Sequence, residues 1–327
     1  MKIEKIAIVG GTGFVGRHLA RGLAAHGCQL RILSRYPHRH RDLVTREIDV
    51  RAADVNDDGQ LRTHFTGMDA VVYLPGILNE SGSDGRNSFR HVHVELPRQV
   101  AAACQAVGVP RLLHMSALHA GDPEAQSYYL RTKGVGEDAI HSAASDTLAV
   151  TSFRPSVIFG PGDNFLNQFA GLLRIAPIFP LPCSDAKLSP IYIGDVTQVF
   201  IQALDDPDSF GQRYNLCGPR VYTLRAIIEY IVRLLELKRI ILPLEPKYAQ
   251  LHAKIMEKIP GKPFSMDNYL SLQTASICPA EYVFPFGITP TPMEAIAPYY
   301  IGNQGQRRRY TQFRVQAGSA TPKTEIG

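Results

Sequence analysis

Cysteine is scarce in this sequence, long apolar runs are missing, and no excess charge of one sign marks its body. The five cysteines, at 28, 104, 183, 217 and 278, are odd in number, scattered and without a C-x-x-C spacing. That pattern argues against a disulfide frame or a thiolate metal site and predicts reduced side chains in a cytosolic setting. Every apolar run stops far short of the roughly 18 to 20 residues that a spanning helix needs. The N-terminus has no apolar h-region with a small-residue cleavage site, so no signal peptide is expected. A cytoplasmic protein, at most peripheral to the inner membrane, is the expectation. The net charge is +5, but Arg307, Arg308, Arg309, Arg314 and Lys323 against Glu325 put +4 of it in residues 303–327. The body is close to neutral, which speaks against a nucleic-acid partner. The basic tail can touch anionic lipid or an acidic partner.

What is present is a regular alternation. "KIAIVG" (5–10), "QLRILSR" (29–35), "REIDVRAAD" (46–54), "DAVVYLPG" (69–76), "RLLHMSAL" (111–118) and "AVTSFRPSVIFG" (149–160) read as strands. Helical patterns separate several of them, at 16–27, around 91–107 and from Tyr128 to about Ala143. Short apolar strands alternating with helices predict βαβ units and a parallel sheet covered on both faces. Later, Asp195 is the expected cap of a helix reaching Leu204, and Thr223 introduces an amphipathic helix over 222–237. The expected organisation is a core over 1–160 completed by about 189–218, and a small substrate or lid lobe from 161–188 and 219–302. Residues 303–327 form a basic, disordered tail in this reading.

"IVGGTGFVGRHLA" spaces Gly10, Gly13 and Gly16 by three between a strand and a helix. Small residues there let the backbone approach a pyrophosphate, and the helix N-terminus offers free N–H groups to it. In this strand–turn–helix context the turn, with Thr12, Phe14 and Val15, predicts a dinucleotide site on an α/β, doubly wound parallel Rossmann sheet. The next strand ends in Ser34 and Arg35, followed by Arg39, where an NAD site usually carries an acid. An arginine fork grips a 2′-phosphate that a carboxylate would repel, so NADP(H) is favoured over NAD(H). Asp54 and Val55 are placed to border the adenine, with capping of a turn as the alternative.

In "SYYLRTKGVGE", Tyr129 precedes Lys133 by four residues, one helical turn on the same face. An ammonium near a phenol lowers its pKa and makes it a usable acid or base for hydroxyl–carbonyl exchange. Ser116, thirteen residues earlier at a strand end, can orient a carbonyl oxygen. His91 and His93 lack a third ligand in spacing, so no metal is expected. Cys183 and Cys217 read as packing residues.

Taken together, "GGTGFVG", "HMSALHA", "YYLRTKGVGE", "SFRPSVIFGPGDNFLNQFA", "SPIYIGDV" and "IPGKPFSMDNYLSL" resemble the short-chain dehydrogenase/reductase superfamily. The likeness is to its extended or atypical, epimerase/dehydratase-like branch, over about residues 3–300. It is strongest to the group holding the nucleotide-binding accessory subunit of respiratory complex I and its bacterial relatives. The resemblance implies Ser116, Tyr129 and Lys133 as the catalytic set, Lys133 also on the nicotinamide ribose. It implies the glycine turn at the pyrophosphate and Arg35 at the 2′-phosphate. Leu74, Pro75 and Gly76 then border the nicotinamide, with Pro155, Ser156 and Val157 near the carboxamide. Pro75 stands where an unconstrained apolar residue is expected. Asn164, Phe165, Asn167 and Gln168 should roof the cleft, either selecting a substrate or ordering a lid.

Three functions follow. The first is an oxidoreductase exchanging hydride with a carbonyl of unknown identity. The second is a non-catalytic nucleotide-binding subunit or assembly protein of a respiratory complex. The third is a sugar-nucleotide epimerase or dehydratase, weakened by the lack of an Arg/Lys cluster for a diphosphate beyond Arg174 and Lys187. The basic amphipathic segment "KYAQLHAKIMEKIPGK" keeps a membrane-surface partner open.

Overall fold

In a computed structural model that describes residues 3–82, 85–259 and 262–302, the alternating pattern becomes one seven-stranded parallel sheet with helices on both faces. The first half runs β1 (Lys5–Val9), α1 (Phe14–Ala25), β2 (Gln29–Ser34), β3 (Ile48–Ala52), α2 (Asp58–Phe65), β4 (Ala70–Tyr73), α3 (Leu96–Val107), β5 (Arg111–Met115), α4 (Tyr128–Ser142) and β6 (Ala149–Pro155). The second half gives β7 (Ile158–Phe159), α5 (Phe165–Ile175), β8 (Ile178–Leu181), β9 (Lys187–Leu188), β10 (Ile191–Tyr192), α6 (Ile193–Asp205) and β11 (Arg213–Leu216). It ends with β12 (Tyr222–Thr223), α7 (Leu224–Leu234), β13 (Ile240–Pro243), α8 (Pro246–Met256), α9 (Met266–Ser271) and α10 (Met293–Ile296).

The sheet order is β3-β2-β1-β4-β5-β6-β11, every pair parallel. The chain works outward from β1 to β3, then returns to β4 beside β1. This switch point opens a crevice at the carboxyl ends of the strands, where such sheets bind ligands. The pleat explains the unbroken apolar runs. Ile6 and Ile8 face Leu19 and Leu23 of α1 and Val199 and Phe200 of α6. Ala7 and Val9 face the opposite layer, with Phe65 of α2, Val100 of α3 and Ile140 of α4. A second core holds the smaller part, where Leu166 and Leu173 of α5 pack with Ile227 and Ile231 of α7 and Met293. Three two-stranded sheets, β7-β10, β9-β12 and β8-β13, complete it.

Several expectations are corrected. The run 149–160 is not one strand: β6 joins the main sheet, while β7 pairs with β10. The helix expected around 91–107 starts as a π-helical turn over His91–Glu95 before α3. Asp195 does not cap α6. Tyr192, extended at φ −72° and ψ 134°, takes that place. Asp195 lies inside the first turn, where its carboxylate accepts from Thr291 N (2.6 Å) and Thr291 Oγ1 (2.9 Å). The cysteines are not all reduced. Cys217, just past β11, is disulfide-bonded to Cys278, a pairing that no local spacing betrays because the two stand 61 residues apart. Cys28, Cys104 and Cys183 take no part in a disulfide among the described residues. The tail expected at 303–327 lies outside the described residues.

Candidate functional site

The glycine turn is shaped by close backbone approach. Gly10 has φ +81°, and a Cβ on Gly16 would stand 2.5 Å from Gly10 O. Gly11, not singled out by the three-residue spacing, is equally confined: its Cβ would meet Ile32 Cγ2 at 2.8 Å. Gly13 differs. Its Cβ would find only Gly10 O, at 3.5 Å. Packing therefore does not demand glycine at 13, and an open cradle stands at the start of α1, whose N-cap Gly13 offers no side chain to its N–H groups. A pyrophosphate fits that donor set and that space. Thr12 O accepts from Arg17 Nε (3.0 Å), and Phe14 and Val15 pack on the core.

Past β2, Ser34 Oγ accepts from Tyr36 N (3.2 Å) and Arg35 is exposed at the end of the strand. The Arg39 guanidinium stacks 4.8 Å over the Tyr36 ring. Arg17, which sequence reasoning passed over, reaches from α1 to Asp42 and to His40 Nδ1. It thereby fastens the Arg39 loop beside the glycine turn and holds the Asp42 carboxyl below its usual range. Asp54 spends one oxygen on Asn56 N (3.1 Å) and Nδ2 (2.7 Å), so the turn-capping alternative is what its side chain does here. Those bonds, with the charges of Arg86 and Arg35, hold its carboxyl low. Val55 packs on the core beneath.

The β4 loop closes over the turn. Pro75 Cδ lies 3.1 Å from a Cβ on Gly10, so its ring rests on the turn, while Leu74 packs inward. A Cβ on Gly76 would come within 3.7 Å of Lys133 Nζ and 3.9 Å of His93 Nε2. His93, which the sequence presented only as a failed metal ligand, links the loop after β4 to α4. Its Nε2 accepts from Ile77 N (3.1 Å), which leaves the proton on Nδ1 to donate to Thr132 Oγ1 (3.0 Å). Burial and the Lys133 charge push its pKa down to about 2, so it stays neutral.

Lys133 is buried, with 3% of its surface exposed, and its Nζ donates to Met115 O (2.7 Å) at the end of β5. Burial lowers its pKa to about 8, opposed by the charge of Glu137 one turn on. Glu137 is itself fully buried and clamped by Arg154 and Arg213. Ser116, the residue after Met115 O, is 3% exposed, and its Oγ has no hydrogen-bond partner among the described residues. A buried hydroxyl without a partner costs about 1 to 3 kcal/mol, and here it stands at the carboxyl edge of the sheet. Tyr129 is half-buried, its ring edge-on to His93 at 5.4 Å. The expected depression of its pKa is not found. Burial, then the Asp267 charge, push it up to about 12.

Asp267 arrives from α9. It accepts from Tyr128 N (2.6 Å), Tyr129 N (3.1 Å) and Ser127 Oγ (3.1 Å), so a carboxylate from the far end of the chain seats the N-terminus of α4. The same segment spans the crevice. Lys262 Nζ donates to Glu80 O (2.8 Å), Asn268 Nδ2 to Leu78 O (3.0 Å), and Gln168 Nε2 to Pro263 O (3.2 Å). The roofing set divides accordingly. Gln168 holds the strap, while Asn164 is the N-cap of α5. Phe165 packs on the second core, and Asn167 is tied to Asp163. Near the expected carboxamide site, Pro155 ends β6 and Val157 O accepts from Ile191 N (2.9 Å). Ser156 Oγ is turned away, to Ser276 O (2.8 Å).

Known proteins resemble this chain. The chain is 30% identical over 298 residues to NADH dehydrogenase [ubiquinone] 1 alpha subcomplex subunit 9, mitochondrial, of Mus musculus, covering 88% of this chain and 77% of that one. It is 33% identical over 196 residues to the ceramide reductase of Caulobacter vibrioides, covering 58% and 57%. The UDP-glucose 4-epimerase of Thermus thermophilus, in complex with NAD, shares the fold, with TM-score 0.61 at 18% identity over 83% of this chain and 99% of that one. The profile of the NAD dependent epimerase/dehydratase family matches residues 6–217, from β1 through the Tyr129–Lys133 helix to the end of the sheet, and the chain belongs to that family.

Proposed function

We propose that this chain is an NADP(H)-dependent reductase that uses Ser116, Tyr129 and Lys133 to reduce a carbonyl. The observation that carries the reading is Ser116: a buried hydroxyl with no partner among the described residues, one residue from the carbonyl that holds Lys133. A substrate oxygen is the partner it lacks. When bound, the nicotinamide supplies hydride to the carbonyl carbon. The chain does the rest. Gly10, Gly13 and Gly16 admit the diphosphate, and Arg35 with Arg39 faces the 2′-phosphate. Ser116 Oγ donates to the carbonyl oxygen, and Tyr129 hands its phenolic proton to that oxygen as the C–H bond forms. A phenol held near 12 stays protonated at neutral pH, which suits an acid in the reducing direction. Lys133 Nζ, which among the described residues uses one of its three donor positions on Met115 O, has others for a ribose hydroxyl.

Stopped-flow fluorescence of bound NADPH against quinones, aldehydes and ketones tests this. Wild type should oxidise NADPH with at least one acceptor, and Tyr129→Phe should slow that step by about a hundredfold or more. An acceptor panel that never beats the Tyr129→Phe rate would overturn the reading. The cofactor has its own test: Arg35→Asp should weaken NADPH roughly tenfold or more while changing NADH little, and equal losses would remove Arg35 from the 2′-phosphate. A second reading, a nucleotide-binding subunit of a respiratory complex without turnover, is favoured by the strap hydrogen-bonded across the crevice and by the likeness to the mouse subunit. Under it NADPH would raise the melting temperature with no acceptor oxidising it.

A further inference from the structure

The helix α8 is built inside out. A surface helix turns its large apolar side chains inward and its small or polar ones to water. In α8 the residues facing the protein are alanines, Ala249 and Ala253, packed on Tyr269 of α9. The large apolar ones face out: Tyr248, Leu251 and Ile255 are 57%, 55% and 51% exposed, and Ile259 follows in the next turn at 41%. Spacings of three and four put them on one stripe. Directly beside that stripe on the helical wheel lie Lys247 and Lys254, with Lys258 continuing the row; Glu257 lies on the far side of that row. The chain enters α8 from another exposed apolar face. Ile240 of β13 pairs with Ile178 of β8, and these with Leu242 are each half exposed or more.

We propose that this face of α8 docks on the surface of an anionic lipid bilayer. The stripe supplies the apolar area that sinks to the acyl boundary. The lysine row supplies charge complementary to the headgroups, with Tyr248 at the interface level where an amphipathic ring settles. The contact is peripheral: among the described residues no helix is long and apolar enough to cross a membrane. Docking would bring the bilayer to the crevice, because α8 packs on α9, which carries the strap and the Asp267 seat of α4. The inference does not need the redox reading, since binding is measured without turnover.

The test is co-sedimentation of the full chain with vesicles of equal parts phosphatidylcholine and phosphatidylglycerol, and with phosphatidylcholine alone. The mixed vesicles should take the protein up in a salt-sensitive way and the neutral ones about tenfold less. A Leu251→Glu, Ile255→Glu variant and, separately, a Lys247→Glu, Lys254→Glu, Lys258→Glu variant should each lose about tenfold or more in binding. Both must melt near the wild-type temperature. The side chains are exposed, so two independent sets guard against a misfolded one. Three results would overturn the proposal. The first is a wild type that fails to sediment. The second is a pair of variants that both bind as well as wild type, which would assign the binding to Arg307, Arg308 and Arg309. The third is a wild-type dimer in sedimentation velocity that the Leu251→Glu, Ile255→Glu variant dissolves, making a second copy the occupant.

Discussion

Burial draws the Lys133 ammonium down from 10.5 to about 8, while the only hydrogen bond it makes among the described residues is to Met115 O. At about 1.4 kcal/mol for each tenfold, that depression destabilises the folded chain by about 3 kcal/mol. The sign follows from linkage. A base whose folded pKa is lowered is penalised in full below that pKa, and the penalty disappears as pH rises through the unfolded value. Lys133→Met should therefore melt higher than wild type near pH 7, and the advantage should fade above the unfolded lysine's range near 10.5. Thermal melts at the two pH values check it; a variant less stable than wild type at pH 7 would mean that the bond to Met115 O outweighs the buried charge. Stability alone would not keep a lysine there, and its place near Ser116, whose hydroxyl has no partner among the described residues, fits the proposed function. The Tyr129–Lys133 spacing was legible in the sequence because a helical repeat is local. The direction of the Tyr129 shift was not, because its charged neighbour, Asp267, is 138 residues away.

At the scale of elements, the junction of α9 with α4 joins the strap to the proposed acid. The carboxylate on the free N–H groups of Tyr128 and Tyr129 stabilises the positive end of the helix dipole. Asp267→Asn keeps the shape and removes the charge. It should lower stability by about 1 kcal/mol and also ease ionisation of Tyr129, because the negative charge that resists the phenolate is gone. If turnover is found, the basic limb of its pH profile should begin at lower pH in Asp267→Asn, a change that a purely structural loss would not produce. An unmoved limb beside a lowered melting temperature would leave Asp267 as a helix cap alone. The strands and helices of the sheet could be read from sequence because apolar periodicity encodes them locally. The strap could not, since its bonds run from Lys262, Asn268 and Gln168 to backbone carbonyls, which carry no residue signature.

Over the whole molecule, the Cys217–Cys278 bond adds a covalent tie between the main sheet and the later segments to the noncovalent ones already described. It ties the edge of the sheet beyond β11 to the stretch after α9, where Ser276 O also accepts from Ser156 Oγ (2.8 Å) and Ser189 Oγ (3.1 Å). Closing a loop with a sequence separation of 61 residues restricts the unfolded chain by on the order of 4 kcal/mol in the entropic account. In a chain of this size that corresponds to roughly 5 °C or more in melting temperature. Dithiothreitol and a Cys278→Ser variant should each lower the melting temperature by about that amount, and the two together by no more than either alone, because both break the same link. Cys28 and Cys104 are buried and outside the disulfide, so reductant has no bond to break there; burial also holds the Cys104 thiol well above its ordinary pKa. Counting thiols in the denatured, unreduced protein decides the premise. Three reactive thiols fit the bond, whereas five would mean that the sequence reading of reduced cysteines holds and that noncovalent contacts keep the two parts together.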